Sequence, residues 1–572
     1  MKASKSLYAG SSTITGPLQA GDSVEYVDVM TDKDKTKFMA LLVLNVVTAV
    51  GFLSFLLWPT HLPRVSWGPW VFVASVVALS LMIVVEVIRV VQGSALLMFA
   101  SRAKDPVPLL APPGLRVAML TTIVPGKEPL DLVVRTLEAM KAVRHNGPVD
   151  VWLLDEGDDP DVRAACQAIG VQHFSRRGIE KWNQPSGAFK AKTKAGNHNA
   201  WRDAQESNYD VVAQMDPDHV PTPDFLERSV GYFIDPDVGF VVAPQVYGNL
   251  KESWIAHGSA IQAYVFHGVI QRGGNGLHAP LLIGTNHLYR PAAFRQIGGY
   301  QDSIIEDHLT SMAMFAAVNP VTGERWKGVY TPDILAVGEG PTSFTDYFNQ
   351  QRRWAYGIWE IMRKHSPKMF GDMRGRQRIS FSLLQMFYPS VAVAFVLSNV
   401  LTFLYMMGGA RTQLPFGWWA MWWGASLTTS LMTFFWLRKF NLVEHERKEY
   451  GLVGLGLLLV CAPVYVMAMV TELARRPLVY AVTAKGNLTS PDTSATFRPH
   501  QFWLALAIPL LFLNVVLGVG QVFVVVQFWL LVTIAIAATP ILAHVRTQMG
   551  ETMRIKAEWE QGLEEELVEE LA

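Results

Sequence analysis

Long apolar runs divide this chain and leave one extended polar stretch that cannot lie in lipid. Residues 38–58 (FMALLVLNVVTAVGFLSFLLW) and 70–92 (WVFVASVVALSLMIVVEVIRVVQ) each carry about 20 apolar positions, enough to cross a hydrocarbon core of about 30 Å. The first run starts too far into the chain, and is too long, for a cleavable leader, so it is expected to remain as an anchor. A polar stretch follows from about residue 100 to 360, and five more apolar runs come after it, at 383–408, 416–437, 451–472, 501–519 and 522–545.

Seven crossings do not fit the charges. Lys and Arg gather in cytoplasmic loops, and here they lie at Lys33–Lys37, Arg102–Lys104, Arg438–Lys439, Arg447–Lys448 and Arg475–Arg476. Both flanks of 451–472 then face the cytoplasm, so that run is expected at the interface or as a shallow re-entrant segment, with a buried apolar helix as the alternative. Six crossings result, two before the polar stretch and four after, the last two joined by a hairpin at Gly518-Val519-Gly520. The composition agrees, with 50% hydrophobic residues among 572 and a mean hydropathy of +0.20. A formal net charge of zero offers no basic patch for nucleic acid. The two cysteines, Cys166 and Cys461, make neither a disulfide framework nor a metal-ligand spacing.

Within the polar stretch, Arg116–Val124, Val149–Leu154 and Val211–Met215 read as buried parallel strands, with a helical pattern at Leu130–Val143. Such alternation predicts an α/β domain whose ligands bind beyond the carboxyl ends of the strands. Four signatures occupy such positions in order: Asp155 in DEGDDP, Asp216-Pro217-Asp218, Glu306-Asp307, and Gln350-Gln351-Arg352-Arg353-Trp354.

Each suits one part of a group transfer from a nucleotide-activated sugar. Asp155 follows a strand and can hold a uracil or ribose, although an Asp there also caps loops. Asp216 and Asp218, one residue apart at a strand end, bring two carboxylates to one hard cation, Mg²⁺ or Mn²⁺, that also bridges a diphosphate. His219 is either a further contact or a packed neighbour. Asp307 is the candidate general base for an attacking hydroxyl, with Glu306 to orient the acceptor, and an acidic pair at a helix N-terminus is also favoured by the dipole. Trp354 offers a flat face for a sugar ring, Arg353 a cation for diphosphate and Gln350 an amide. A basic aromatic juxtamembrane helix is the plainer alternative for that run.

The ordered set, with further elements, resembles the membrane-embedded processive family-2 glycosyltransferases, the group of cellulose, hyaluronan and chitin synthases, and bacterial cellulose synthase most of all. The likeness runs from about residue 115 to 545. It includes TIVPGKEPLDLVVRTLEAM, Lys194-Ala195-Gly196-Asn197, Ile283-Gly284-Thr285-Asn286, and Tyr480-Ala481-Val482-Thr483-Ala484-Lys485-Gly486, which is similar to the gating loop of cellulose synthases. Three positions depart from that pattern: DEGDD stands for DDG, Ile305 for Thr, and Tyr480 for Phe. They leave sugar and linkage open.

The resemblance implies a polytopic α-helical membrane protein with an inserted cytosolic GT-A type α/β domain. Residues 1–37 would be a flexible cytosolic N-terminus, 38–98 two transmembrane helices and 99–365 the glycosyltransferase domain. Interfacial helices, four transmembrane helices and a gating loop at about 477–500 would fill 366–545, and 546–572 an acidic cytosolic tail. It implies Asp307 as base, and Asp155, Asp216, Asp218, Lys194, Arg353, Val482, Thr483 and Lys485 on the nucleotide donor. Asp216 and Asp218 would also hold the metal, and Gln350, Trp354, Thr285 and Glu306 would meet the acceptor.

The implied activity is inverting, processive polymerisation of glucose from UDP-glucose into a β-glucan, with translocation across the cell inner (plasma) membrane. Alternatives are a β-1,3-glucan (curdlan-like) or β-mannan synthase, then a hyaluronan or chitin synthase, and outside catalysis an inactive transporter or scaffold. Implied partners are a UDP-sugar, the growing polysaccharide, the bilayer and export proteins, with no nucleic acid. No cyclic-di-GMP-binding PilZ domain is expected.

Overall fold

Val117–Ile123 (β1) has seven residues, all buried, as a strand covered on both faces should. It lies inside a seven-stranded sheet with Val149–Asp155 (β2), Gln172–Phe174 (β3), Val211–Gln214 (β4), Val238–Val242 (β5), His287–Tyr289 (β6) and Lys327–Tyr330 (β7). The strand order is β7-β5-β6-β4-β1-β2-β3. The computed structural model describes residues 19–478, 486, 490–516 and 524–571, without the side chains of 524–525 and 551–571.

The expected strands at 117–123, 149–155 and 211–214 are present, and the helix at Leu130–Lys141 packs over them. Leu120, Trp201, Phe240 and Phe315 belong to one apolar core, and Met119, Leu137, Phe225 and Val241 to a second. The sheet is mixed, not wholly parallel, because β6 runs antiparallel to both β4 and β5. The chain enters β6 through Gly284–Asn286, beside the carboxyl end of β4, so the strand can only run back.

The N-terminal region is more ordered than its composition predicts. Tyr26–Asp28 pairs antiparallel with Lys104–Pro106, and the helix Asp32–Leu56 starts at a capping box between Thr31 and Asp34. Capping and strand pairing give residues 26–37 regular structure despite their Lys/Asp-rich character.

Among the described residues, five helices are long and apolar enough to cross a membrane: Asp32–Leu56, Pro69–Ser101, Phe387–Met406, Arg498–Val516 and Val526–Gly550. Phe416–Leu437, expected among six crossings, is helical but falls outside this set. Its Trp residues lower its hydropathy, and Ser426, Thr429, Ser430 and Thr433 form a polar stripe along it. That stripe faces the first two helices: Thr48 pairs with Thr429 at 3.0 Å, Asn45 with Thr433 at 2.8 Å, and Arg89 with Ser430 at 2.9 Å. The 451–472 run is a bent pair, Leu452–Val460 and Ala462–Leu473, angled by 40°, the geometry of a broken span or a re-entrant loop. Residues 517–523, with the expected Gly518–Gly520 hairpin, lie outside the described residues.

Phe344–Lys364 connects the two halves. It packs along Ala462–Leu473, where the Tyr465 hydroxyl donates to Gln351 Oε1 at 2.7 Å and Arg363 pairs with Glu472 at 2.5 Å.

Candidate active site

Beyond the carboxyl ends of β1 and β4 opens a cavity of about 570 Å³. Lys194, Asp216, Asp218, Thr285, Glu306 and Asp307 line it, and Gln350, Arg353 and Trp354 close the side toward the membrane helices. Residues more than a hundred positions apart thus share one chamber.

Local structure explains each placement. Asp216 lies two residues past β4, and its backbone N–H donates to Thr285 Oγ1 at 2.9 Å. Thr285 in turn donates to Asn286 Oδ1 at 3.1 Å. Lys194 opens a helix whose N-cap is Thr193, and its ammonium pairs with Asp216 and donates to the Gly284 carbonyl at 2.5 Å. Glu306 and Asp307 form the first turn of Glu306–Ala316, where the helix dipole favours negative charge. The backbone N–H of His308 donates to Asp307 Oδ1 at 2.8 Å.

In the QQRRW run the helical period separates the polar residues. Gln350, Arg353 and Trp354 face the cavity, while Gln351 is buried against Tyr465.

Electrostatics single out the acidic pair. Burial, then the neighbouring Asp307, pushes Glu306 up to about 7, while Lys194 and Arg353 oppose the shift. Burial also raises Asp307, against the His308 N–H and the same two cations. Two buried carboxylates side by side do not both ionise easily. Such a pair is suited to holding a proton near neutrality.

Asp216, Asp218 and His219 offer ligand atoms within 4.8 Å of one another. His219 is buried, and neither ring nitrogen makes a hydrogen bond. Two carboxylates and a hydrogen-bond-deficient imidazole fit a divalent cation, with water and phosphate oxygens to complete the shell.

Asp155 is placed differently from expectation. Expected on the nucleotide, it is wholly buried and accepts hydrogen bonds from the N–H groups of Gly157 at 2.8 Å and Asp159 at 2.7 Å, with His173 Nε2 at 3.1 Å. Its oxygens shape the loop, and Glu156 lines the cavity instead. Asp158 and His173 offer a second cation group with it. Val482, Thr483 and Lys485 lie outside the described residues.

The structure adds Glu339, which the motifs do not reveal. Its N–H donates to Asp218 Oδ2 at 3.2 Å, and its carboxylate accepts from the Gly486 N–H at 3.0 Å. Burial, then Asp218, raises its pKa. The only sequence signal is an acidic residue between two glycines after a short strand.

Two family models match the chain: glycosyl transferase family 2 over residues 123–298 and glycosyl transferase family group 2 over residues 211–470. The chain carries a cellulose-synthase-like family-2 glycosyltransferase domain. The matched ranges contain the Asp216–Asp218 pair, Glu306–Asp307 and the QQRRW helix. The glycosyltransferase is 26% identical over 294 residues to the cellulose synthase catalytic subunit of Xanthomonas axonopodis pv. citri, covering 50% of this chain and 38% of that protein. It is also 26% identical over 266 residues to a probable glucomannan 4-beta-mannosyltransferase 9 of rice, covering 45% of this chain and 47% of that one. The match therefore spans under half the length of either relative. A solved mannosyltransferase from Pyrobaculum calidifontis, in complex with GDP-Man and Mn²⁺, superposes with a TM-score of 0.44 at 15% identity, covering 71% of this chain and 100% of that one.

Proposed function

We propose that the chain is a processive, inverting β-glycosyltransferase that polymerises glucose from UDP-glucose into a β-glucan and moves the product across the membrane holding its apolar helices. One observation carries this reading: a single cavity holds the acidic cation group, the Glu306–Asp307 pair and a wall of Gln350, Arg353 and Trp354.

Asp216, Asp218 and His219 would hold Mg²⁺ or Mn²⁺, which supplies neutralisation of the departing nucleotide diphosphate. Lys194, already beside Asp216, binds the same phosphates from the other side, and Arg353 adds a second cation. Asp307 accepts the proton of the attacking acceptor hydroxyl. Glu306, protonated near neutrality, donates a hydrogen bond toward the acceptor and spares Asp307 a like charge. Trp354 holds the acceptor ring by its face, and Thr285 fixes the Asp216 backbone. Val482, Thr483 and Lys485 would complete the donor site. The catalytic domain faces the cytosol in this reading, because the basic loops gather on its side, and Phe416–Leu437 crosses as a partner of the first two helices.

The test is incorporation of radiolabel from UDP-glucose by the purified protein, with Mg²⁺ or Mn²⁺, followed by linkage-specific digestion. Polymer cut only by a β-1,4-glucanase supports the cellulose-type reading, and cutting by a β-1,3-glucanase moves it to the curdlan type. Absence of polymer removes glucose. The rice relative favours a second reading, mannan synthesis, for which GDP-mannose is the donor to try.

A further inference from the structure

Gln92 of the Pro69–Ser101 helix donates to the carbonyl of Phe387, 3.4 Å away, where Phe387–Met406 begins. These two candidate spans pack side by side, so the contact sets a common level. Past that level the first helix runs on to Ser101, with Arg102 and Lys104 directly after it. The second is preceded by Gly375–Gln385, which carries Arg374, Arg376 and Arg378 at its start.

The two basic groups meet around one loop. Gln377 Nε2 donates to the His278 carbonyl at 2.9 Å. The His278 imidazole is pushed down by its own burial and then by Arg376, Arg374 and Lys104, so these charges share its neighbourhood. Arg374 and Lys104 have carboxylate neighbours, Glu324 at 3.1 Å and Asp28 at 3.7 Å. Arg102, Arg376 and Arg378 are exposed and join no ion pair among the described residues. Exposed Ile379 and Phe387 lie on the same approach.

We propose that this basic surface binds anionic phospholipid headgroups, so that the chain keeps acidic lipid against the Pro69–Ser101 and Phe387–Met406 helices. Three arginines without carboxylate partners match a row of phosphodiesters, which guanidinium groups grip in bidentate fashion. Their place just past the end of one span and within about three helical turns of the start of the adjoining one puts them at the headgroup layer, where the leaflet's negative potential acts. The exposed apolar neighbours favour a membrane surface over a soluble anion.

The full chain would be reconstituted in phosphatidylcholine vesicles, and the motionally restricted fraction of spin-labelled phosphatidylglycerol compared with that of spin-labelled phosphatidylcholine. The wild-type protein should prefer phosphatidylglycerol by about fivefold, the effect of roughly one cation in the headgroup field. Roughly 1 M salt, where the screening length falls to about 3 Å, should abolish the preference, as should the R102Q/R376Q/R378Q variant. The same three positions changed to Lys should restore most of it, which separates lost charge from misfolding. Equal restriction of both lipids by the wild type, or an unchanged preference in the Gln variant, overturns the proposal. So does loss of the preference to millimolar inorganic phosphate at constant ionic strength, which would assign the site to a soluble anion.

Discussion

The Lys194 ammonium pairs with the Asp216 carboxylate and donates to the Gly284 carbonyl at 2.5 Å, so one side chain ties the end of β4 to the turn that precedes β6. A fixed positive charge thus stands at the edge of the cation group. In the proposed reaction it would compete with a divalent ion for Asp216 and join that ion in holding a diphosphate.

Replacing Lys194 with Met should therefore have opposite effects on two ligands. Mn²⁺ alone should bind more tightly, because Asp216 loses a competing cation, while the nucleoside diphosphate should bind more weakly at saturating metal. Titration followed by electron paramagnetic resonance, with and without UDP, measures both. Weaker Mn²⁺ binding in the variant would remove Lys194 from this role.

Asp307→Asn should lower turnover roughly 100- to 10,000-fold, the usual range for loss of a general base. Nucleotide affinity should persist, since the cation group and Arg353 are untouched. Calorimetric titration with UDP beside the radiolabel assay checks the two together, and near-wild-type turnover would exclude Asp307 as the base.

Glu306 is held at about 7 against an ordinary 4.5. The folded protein keeps a proton there that the unfolded chain releases across that window, so this group's contribution to stability falls as pH rises from about 4.5 to 7. Glu306→Gln should flatten the decline of Tm over that window. It should also move the alkaline limb of the activity profile to higher pH, because the amide cannot ionise beside Asp307. A variant with the wild-type slope and the wild-type limb would show that the two carboxylates do not share a proton.

A Cβ at Gly338 would lie 2.3 Å from His219 Cε1 and 2.4 Å from Nε2. Gly338→Ala should cost about 1–3 kcal/mol by overpacking and, by displacing the imidazole, weaken Mn²⁺ binding. Gly371→Ala, where the Cβ meets only the Lys368 carbonyl at 3.7 Å, is the control. Chemical denaturation and metal titration of both variants decide the point.

Several parts of this arrangement are readable from residues alone, for stated physical reasons. Asp216–Asp218 and Glu306–Asp307 announce themselves because strand ends and helix N-termini are where a sheet protein collects charge. The helix at 130–141 and the three central strands follow from apolar periodicity. For Asp155 the loop-capping alternative is the one visible, since its carboxylate accepts from the N–H groups of Gly157 and Asp159. Glu339 is silent because it belongs to no pattern and meets Asp218 only through the three-dimensional fold. Phe416–Leu437 looks apolar by aromatic content, yet its Ser/Thr stripe is satisfied only by partners more than three hundred residues away.

The two faces of Phe344–Lys364 make the catalytic and membrane portions one mechanical object. One face forms a wall of the reaction chamber, and the other, with Tyr347, Phe348 and Ala355, is packed into a core shared with Leu457, Val464 and Tyr465. Cutting the chain at 365 to obtain a water-soluble enzyme would strip that second face of its partners and unseat Trp354 on the cavity side. On the proposed reading, bond formation would be held at a set height relative to the apolar helices, with no linker between the chamber and the path the product takes out.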